Sequence, residues 1–280
     1  MTNHLEQIRT HLATNLESSD IDLPVLPQVA TEVLQLTTDS RVDAAKLSGL
    51  IHKDQALAGH ILKIANSVAY CGRVPIVSLQ QAVARLGMNL IGEIAFAACV
   101  RNRVFHLPGH EREMRELWRH SIASGAYAKE IARLLRRNVE GAFLCGLLHN
   151  VGKPIVLQVV ADVEKDLGET VAYEEAIELM NEFHLPYGRL LGEKWELPDS
   201  VQEAIIHYGA YAEAESFVEE AKITCLADRL GTYVAVVDIY DEESVRHHPV
   251  YEALNLYQDD VDDLLGMKEN VLEVVDSMAL

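Results

Sequence analysis

Basic residues are scarce in this chain. Lysine and arginine number 24 against 43 aspartates and glutamates, a formal net charge of −19 over 280 residues. A surface this acidic repels phosphate backbones, so no nucleic acid partner is expected. The one local exception, Arg101, Arg103, Arg112, Arg115 and Arg119, reads as a solvated helix face. Cysteine is also sparse. Cys71, Cys99, Cys145 and Cys225 are far apart and leave no CxxC pair. The last three lie in apolar stretches, where free cysteine serves as a small core residue, which fits a reducing cytoplasm. Long apolar runs are missing as well. A membrane-spanning helix needs about 18 or more apolar residues in a row. The nearest approach, Ile91 to Val100, is short and carries Glu93. The first twenty residues lack an apolar core flanked by a cleavage site, so they do not read as a signal peptide. Neither membrane association nor export is expected, and the location expected is cytoplasmic. No internal repeat, heptad seam, low-complexity tract or convincing alternating strand occurs.

What is present is helical periodicity over a chain that is 49% hydrophobic, enough to bury a sizeable core as one large domain or two small ones. Pro24 and Pro27 precede a helix through Val29, Val33, Leu34 and Leu36. Asp43, Asp54 and Ser78 are candidate N-caps for the three that follow. A long apolar helix is expected from about Asn89 to Phe105, and Leu107-Pro108-Gly109-His110 then breaks the pattern. Further helices are expected at Glu113–Arg136, Gly141–His149, Ala172–Phe183, Gly188–Trp195, Asp199–His207, Glu215–Tyr240 and Val261–Met278. The fold class expected is therefore all-α and non-bundle. Residues 1–19 form an N-terminal helical segment, 20–106 and 107–240 two helical subdomains, and 241–280 a helical tail.

Twelve histidines need sorting. Most sit in polar or terminal contexts. His120 follows Glu116 by one turn, so both share a helix face. His149 ends the apolar helix containing Leu144, Leu147 and Leu148. His184 stands at Glu182-Phe183-His184-Leu185-Pro186, and His207 ends Ala204-Ile205-Ile206. Asp228 lies among Leu226, Ala227 and Leu230. Buried unpaired charge is costly. These residues therefore point either to a shared polar site with ligands suited to zinc, iron, manganese or nickel, or to separate core histidines bonded to carbonyls and hydroxyls.

Several stretches occur in an order that resembles the HDOD family. They are Leu23-Pro24-Val25-Leu26-Pro27, Ile51-His52-Lys53-Asp54-Gln55-Ala56-Leu57, Leu62-Lys63-Ile64-Ala65-Asn66-Ser67 and Leu79-Gln80-Gln81-Ala82-Val83-Ala84-Arg85-Leu86-Gly87. Leu117-Trp118-Arg119-His120-Ser121, Ala142 to Lys153 and Trp195-Glu196-Leu197-Pro198 continue the match, which covers roughly residues 20 to 240. The resemblance implies a fold related to HD-type metal-dependent phosphohydrolases and a role in bacterial signalling through a protein partner. It also implies a ligand set carried over by position: Glu116, His120, His149, His184, His207 and Asp228, with Lys153 as the phosphate contact.

Two positions depart from that set. Asn150 stands where the related enzymes have the aspartate of their His-Asp pair, and Tyr208 replaces the second of two adjacent histidines. An aspartate can bridge two metals with two oxygens and a negative charge, whereas an amide offers one oxygen and a neutral NH₂. The sequence therefore favours a non-catalytic regulatory module over a phosphohydrolase using one divalent metal. His120, His149, His207 and Asp228 are expected to converge, with Glu116, His184 and Asn150 around them, on at most one transition metal. No organic cofactor is implied. Asn66, where a helix meets a loop, is expected to be structural.

Overall fold

Side-chain caps set several of the helix starts. Asp54 accepts the amide of Leu57 at 3.0 Å, Ser78 that of Gln81 at 3.3 Å and Asn138 that of Gly141 at 3.0 Å. Each satisfies one of the backbone donors that a helix start leaves without a partner. The structure, a computed structural model, describes residues 2–17, 21–38, 44–70, 72, 74–168, 170–236 and 239–279. The caps expected from Asp43 and the environment expected for Cys71 lie outside the described residues.

The first half holds α1 (Thr2–Glu17), α2 (Gln28–Thr38), α3 (Ala44–Lys53), α4 (Gln55–Ala65), α5 (Leu79–Leu86) and α6 (Met88–Val104). The second half holds α7 (Glu111–Leu134), α8 (Val139–Leu148), α9 (Gly152–Leu167), α10 (Tyr173–Lys194), α11 (Asp199–His207), a 3-10 turn (Tyr208–Glu213) and α12 (Val218–Ala235). The chain ends with α13 (Glu242–Arg246), α14 (Val250–Ala253), α15 (Gln258–Gly266) and α16 (Lys268–Met278). No strand occurs among the described residues, so the fold is all-α.

One apolar core runs through both halves, from Ile8 and Leu12 to Val275. α1 lies against α9 and α10 of the second half. There Tyr187 donates to the Leu12 carbonyl at 3.1 Å, and Arg9 pairs with Glu178 and Glu182, each at 2.8 Å. The turn at residues 105–110 joins α6 to α7. Across this seam the buried Glu93 of α6 pairs with Lys129 of α7. Asn66 closes α4: its Nδ2 donates to Leu62 and Ile76 carbonyls at 2.9 and 2.8 Å, and its Oδ1 accepts the Ile76 amide at 2.7 Å.

α7 is the axis of the second half, with α8 and α12 packed on it. Their approach depends on two glycines that meet the same residue. A Cβ on Gly146 would lie 2.5 Å from the Ser124 carbonyl oxygen, and one on Gly231 would lie 2.3 Å from Ser124 Oγ. Any larger residue at either place would push α8 or α12 away from α7.

The fold corrects four boundaries. Helix α9 has no counterpart among the expected helices. The break expected at His184-Leu185-Pro186 is absent, because α10 continues through Pro186. Buried Phe183, Tyr187 and Leu191 hold this helix to the core, and their packing offsets the lost backbone bond. α12 begins at Val218, later than expected, because Phe217 is left-handed at φ 48°. The final amphipathic helix is two helices meeting at Gly266-Met267, both facing the core through Val261, Leu264, Val271 and Val275. One stretch, Val139–Asp166, is long and apolar enough to cross a membrane by length and composition, but 83% of its most apolar window is buried inside the fold.

Candidate metal centre

α7, the C-terminal cap of α8 and α12 bring one side chain each to a single point. Ligand atoms of His120, His149 and Asp228 lie within 4.8 Å of one another. Asp228 Oδ1 is 3.0 Å from His149 Nε2 and 3.2 Å from His120 Nε2. The side chain of His149 is fully buried, that of His120 is 8% exposed and that of Asp228 is 27% exposed. Asp228 is thus the most exposed of the three.

Hydrogen bonds set the tautomers of the two rings. His149 Nδ1 lies 2.7 Å from the Gly146 carbonyl and must donate to it. In the neutral ring this leaves a lone pair on Nε2, aimed at a carboxylate oxygen. Burial pulls the His149 pKa below its ordinary value, although Asp228 raises it in part. Burial pushes Asp228 up, but the two histidines outweigh this and hold it below the usual carboxylate range. With His149 neutral, two acceptors face each other at 3.0 Å, an arrangement that a proton on Nε2 or a bound cation relieves.

His120 is held differently. The Asn150 amide Nδ2 donates to His120 Nδ1 at 2.8 Å, and Ser121 donates to Asn150 Oδ1 at 2.8 Å. A ring that accepts at Nδ1 carries its proton on Nε2, which faces Asp228 and lies near Thr232 Oγ1 at 3.1 Å and Ser124 Oγ at 3.3 Å. That tautomer has no lone pair to give a metal.

The remaining expected ligands stand apart. The His184 Nδ1–H donates to the Asn181 carbonyl at 3.0 Å, so its Nε2 accepts, and the partner is the Tyr208 hydroxyl at 3.0 Å. Burial pushes the Tyr208 phenol up, so it keeps the proton it donates. The Tyr208 ring also packs edge-on against His149, with centroids 4.7 Å apart. His207 does not converge with the others; its Nε2 faces Glu203 at 3.7 Å. Glu116 turns to Arg112 at 2.9 Å. The Lys153 ammonium makes no hydrogen bond or ion pair among the described residues. Burial lowers its pKa, with Asp228 acting in the opposite direction. Ser121, Ser124 and Thr232 were not among the expected site residues. Ser124 follows His120, and Thr232 follows Asp228, by four residues, which places each on the same helix face as its partner.

The donor set fits one ion. Bonds of about 2.1 Å in a tetrahedral site put ligand atoms roughly 3.4 Å apart, and 3.0 and 3.2 Å need only a small expansion. His149 Nε2 and an Asp228 oxygen would hold such an ion; His120 would join only if the Asn150 amide turned over, so that its Oδ1 accepts a proton moved to Nδ1 and its Nδ2 donates to Ser121 Oγ.

The HDOD domain model matches residues 23–211. The chain belongs to the HDOD family. An HDOD domain protein of unknown function from Geobacter sulfurreducens has the same fold, with TM-score 0.74 at 20% identity, covering 99% of this chain and 97% of its own. A protein from Shewanella amazonensis, provisionally named a metal-dependent phosphohydrolase, matches with TM-score 0.70 at 21% identity over 100% and 99% of the two chains. A protein from Treponema pallidum without assigned function is 24% identical over 204 residues, 70% of this chain; the match spans 39% of that relative. At these identities the solved structures establish the HDOD fold and leave the activity to be argued from the site.

Proposed function

We propose that this HDOD protein is a non-catalytic bacterial signalling module, acting through a protein partner in the cytoplasm, whose degenerate centre holds at most one transition metal as a structural element. The observation that carries this reading is the Ser121–Asn150–His120 chain of hydrogen bonds. Each residue that departs from the HD enzymes' ligand set is bonded to a histidine that would otherwise be a ligand: Asn150 to His120 and Tyr208 to His184. Those bonds close a polar network where a second ion would need lone pairs. Hydrolysis would also require a phosphate ester to reach the metal, whereas His149 is fully enclosed. When bound, the ion would supply charge compensation between His149 and Asp228 and tie α8 to α12. His149 and Asp228 would hold it, while Asn150 sets the proton position on His120.

A phosphohydrolase using one ion is the second reading, and the unpaired ammonium of Lys153 near Asp228 favours it. Elemental analysis of protein purified without added metal, beside a screen of phosphate esters and cyclic dinucleotides, separates the two. Metal without turnover supports the regulatory reading. Turnover that is lost in His149→Ala supports the hydrolase.

A further inference from the structure

The arginines that read in sequence as one solvated face divide in the fold. Arg112 pairs with Glu116 at 2.9 Å and Arg119 with Asp276 at 2.7 Å. Arg101 and Arg115 have no carboxylate partner among the described residues. Arg101 lines two adjoining cavities, and Arg115 lines the one that reaches the seam between the two halves. The larger, about 650 Å³, lies between the start of α4 and the end of α6, and its wall includes His60, Asn102, Leu57 and Phe105. The smaller, about 180 Å³, continues toward the start of α7 and reaches Arg115 and Trp118. Arg101, Phe105 and His106 line both.

Arg101 and Arg115 place two guanidinium groups together on a protein of net charge −19. Burial disfavours charge on Arg101, and the nearby Arg115 guanidinium adds to the effect. Burial lowers His60 too, with Arg101 and then Lys63 acting in the same direction. No carboxylate offsets either group. Two carboxylates do line the cavities, but each is engaged by backbone: Asp54 accepts the Leu57 amide and Glu111 the Gly109 amide, both at 3.0 Å. An anion placed between Arg101 and Arg115 would relieve their mutual repulsion, and guanidinium groups match phosphate oxygens in geometry as well as charge. A bare phosphate would fill little of the larger cavity. That volume falls in the range of sites for small organic ligands, and Leu57, Ala98 and Phe105 give it an apolar wall.

We propose that this double cavity is a binding site for a small organic phosphate of mononucleotide size, with Arg101 and Arg115 on the phosphate and Phe105 and Leu57 against the organic part. The site lies on α4, α6 and α7, away from the His149–Asp228 pair, and does not rest on the reading of the metal centre. Because it bridges the two halves, an occupant would couple them.

Titration calorimetry of the full chain with adenosine monophosphate and with inorganic phosphate, in low salt, tests this. Adenosine monophosphate should bind at least about tenfold more tightly than phosphate, and R101Q and R115Q should each weaken it about tenfold or more. R112Q, whose arginine already pairs with Glu116, should stay within about twofold of wild type. Arg115 is exposed, so R115Q carries the test even if R101Q fails to fold. Failure of both probes to bind at millimolar concentration, or unchanged affinity in R115Q, would overturn the site. Equal affinity for the two probes would overturn the organic half of the proposal.

Discussion

The amide nitrogen of Asn150 lies 2.8 Å from Nδ1 of His120 and donates to it. This contact selects the His120 tautomer whose Nε2 carries the proton. An aspartate at the same place would accept from both Ser121 and a proton on Nδ1, leaving Nε2 free to bind a metal. Asn150→Asp should therefore raise affinity for a divalent transition metal at least about tenfold, because it supplies both a ligating ring and a negative charge. Without metal the new carboxylate is a fully buried charge, so the variant should melt below wild type and recover on metal addition. Competition with a chelator measures the first effect and a thermal melt the second. Unchanged affinity in Asn150→Asp would mean the amide does not govern His120.

The pH dependence of stability should carry a histidine signature. Burial, helped by Lys153, pulls His184 from 6.5 down to about 4. A base depressed in the folded state contributes stability that is present above the unfolded pKa and is lost as pH falls toward the folded one. Between pH 7 and 5 the wild type should lose on the order of 1 kcal/mol more than His184→Gln, after allowance for partial solvent screening. Urea unfolding at both pH values reads this difference, and equal slopes for the two proteins would refute it.

Asn66 exchanges two hydrogen bonds with Ile76 and adds a third to Leu62. Asn66→Ala leaves the Ile76 amide and carbonyl without these partners. It should cost about 2 kcal/mol in urea unfolding while leaving metal content unchanged. Loss of partner binding without loss of stability would assign Asn66 to an interface instead.

Much of this arrangement was legible in the sequence, for physical reasons. Asp54 and Ser78 announce helix starts because caps are local chemistry. His149 and Asp228 stand out because polar groups on apolar helix faces need partners. Helix α9 was missed because its start, Gly152-Lys153-Pro154, resembles a turn, although proline is tolerated in a helix's first turn, where amides lack intrahelical partners. Pro186 misled in the opposite sense, because tertiary packing of Tyr187 and Leu191 holds α10 together through it. The direction in which His207 points was not legible at all. It ends α11, and its side chain follows Glu203 one turn back instead of crossing to Asp228.

The close approach at Ser124 gives a packing test. A methyl at position 146 would sit 2.5 Å from a backbone oxygen, which cannot rotate away. Gly146→Ala should destabilise the protein by about 1–3 kcal/mol and lower metal affinity, since α8 carries His149. A variant that is stable and binds metal as wild type does would show that α7 and α8 have room to separate.

The central claim is that Asn150 and Tyr208 close the centre to a second ion. Metal stoichiometry measures this most directly: wild-type protein is incubated with excess manganese, iron or zinc, desalted, and its bound metal determined by elemental analysis. The structure predicts no more than one tightly held ion per chain, lost in His149→Ala. Two ions per wild-type chain would contradict it.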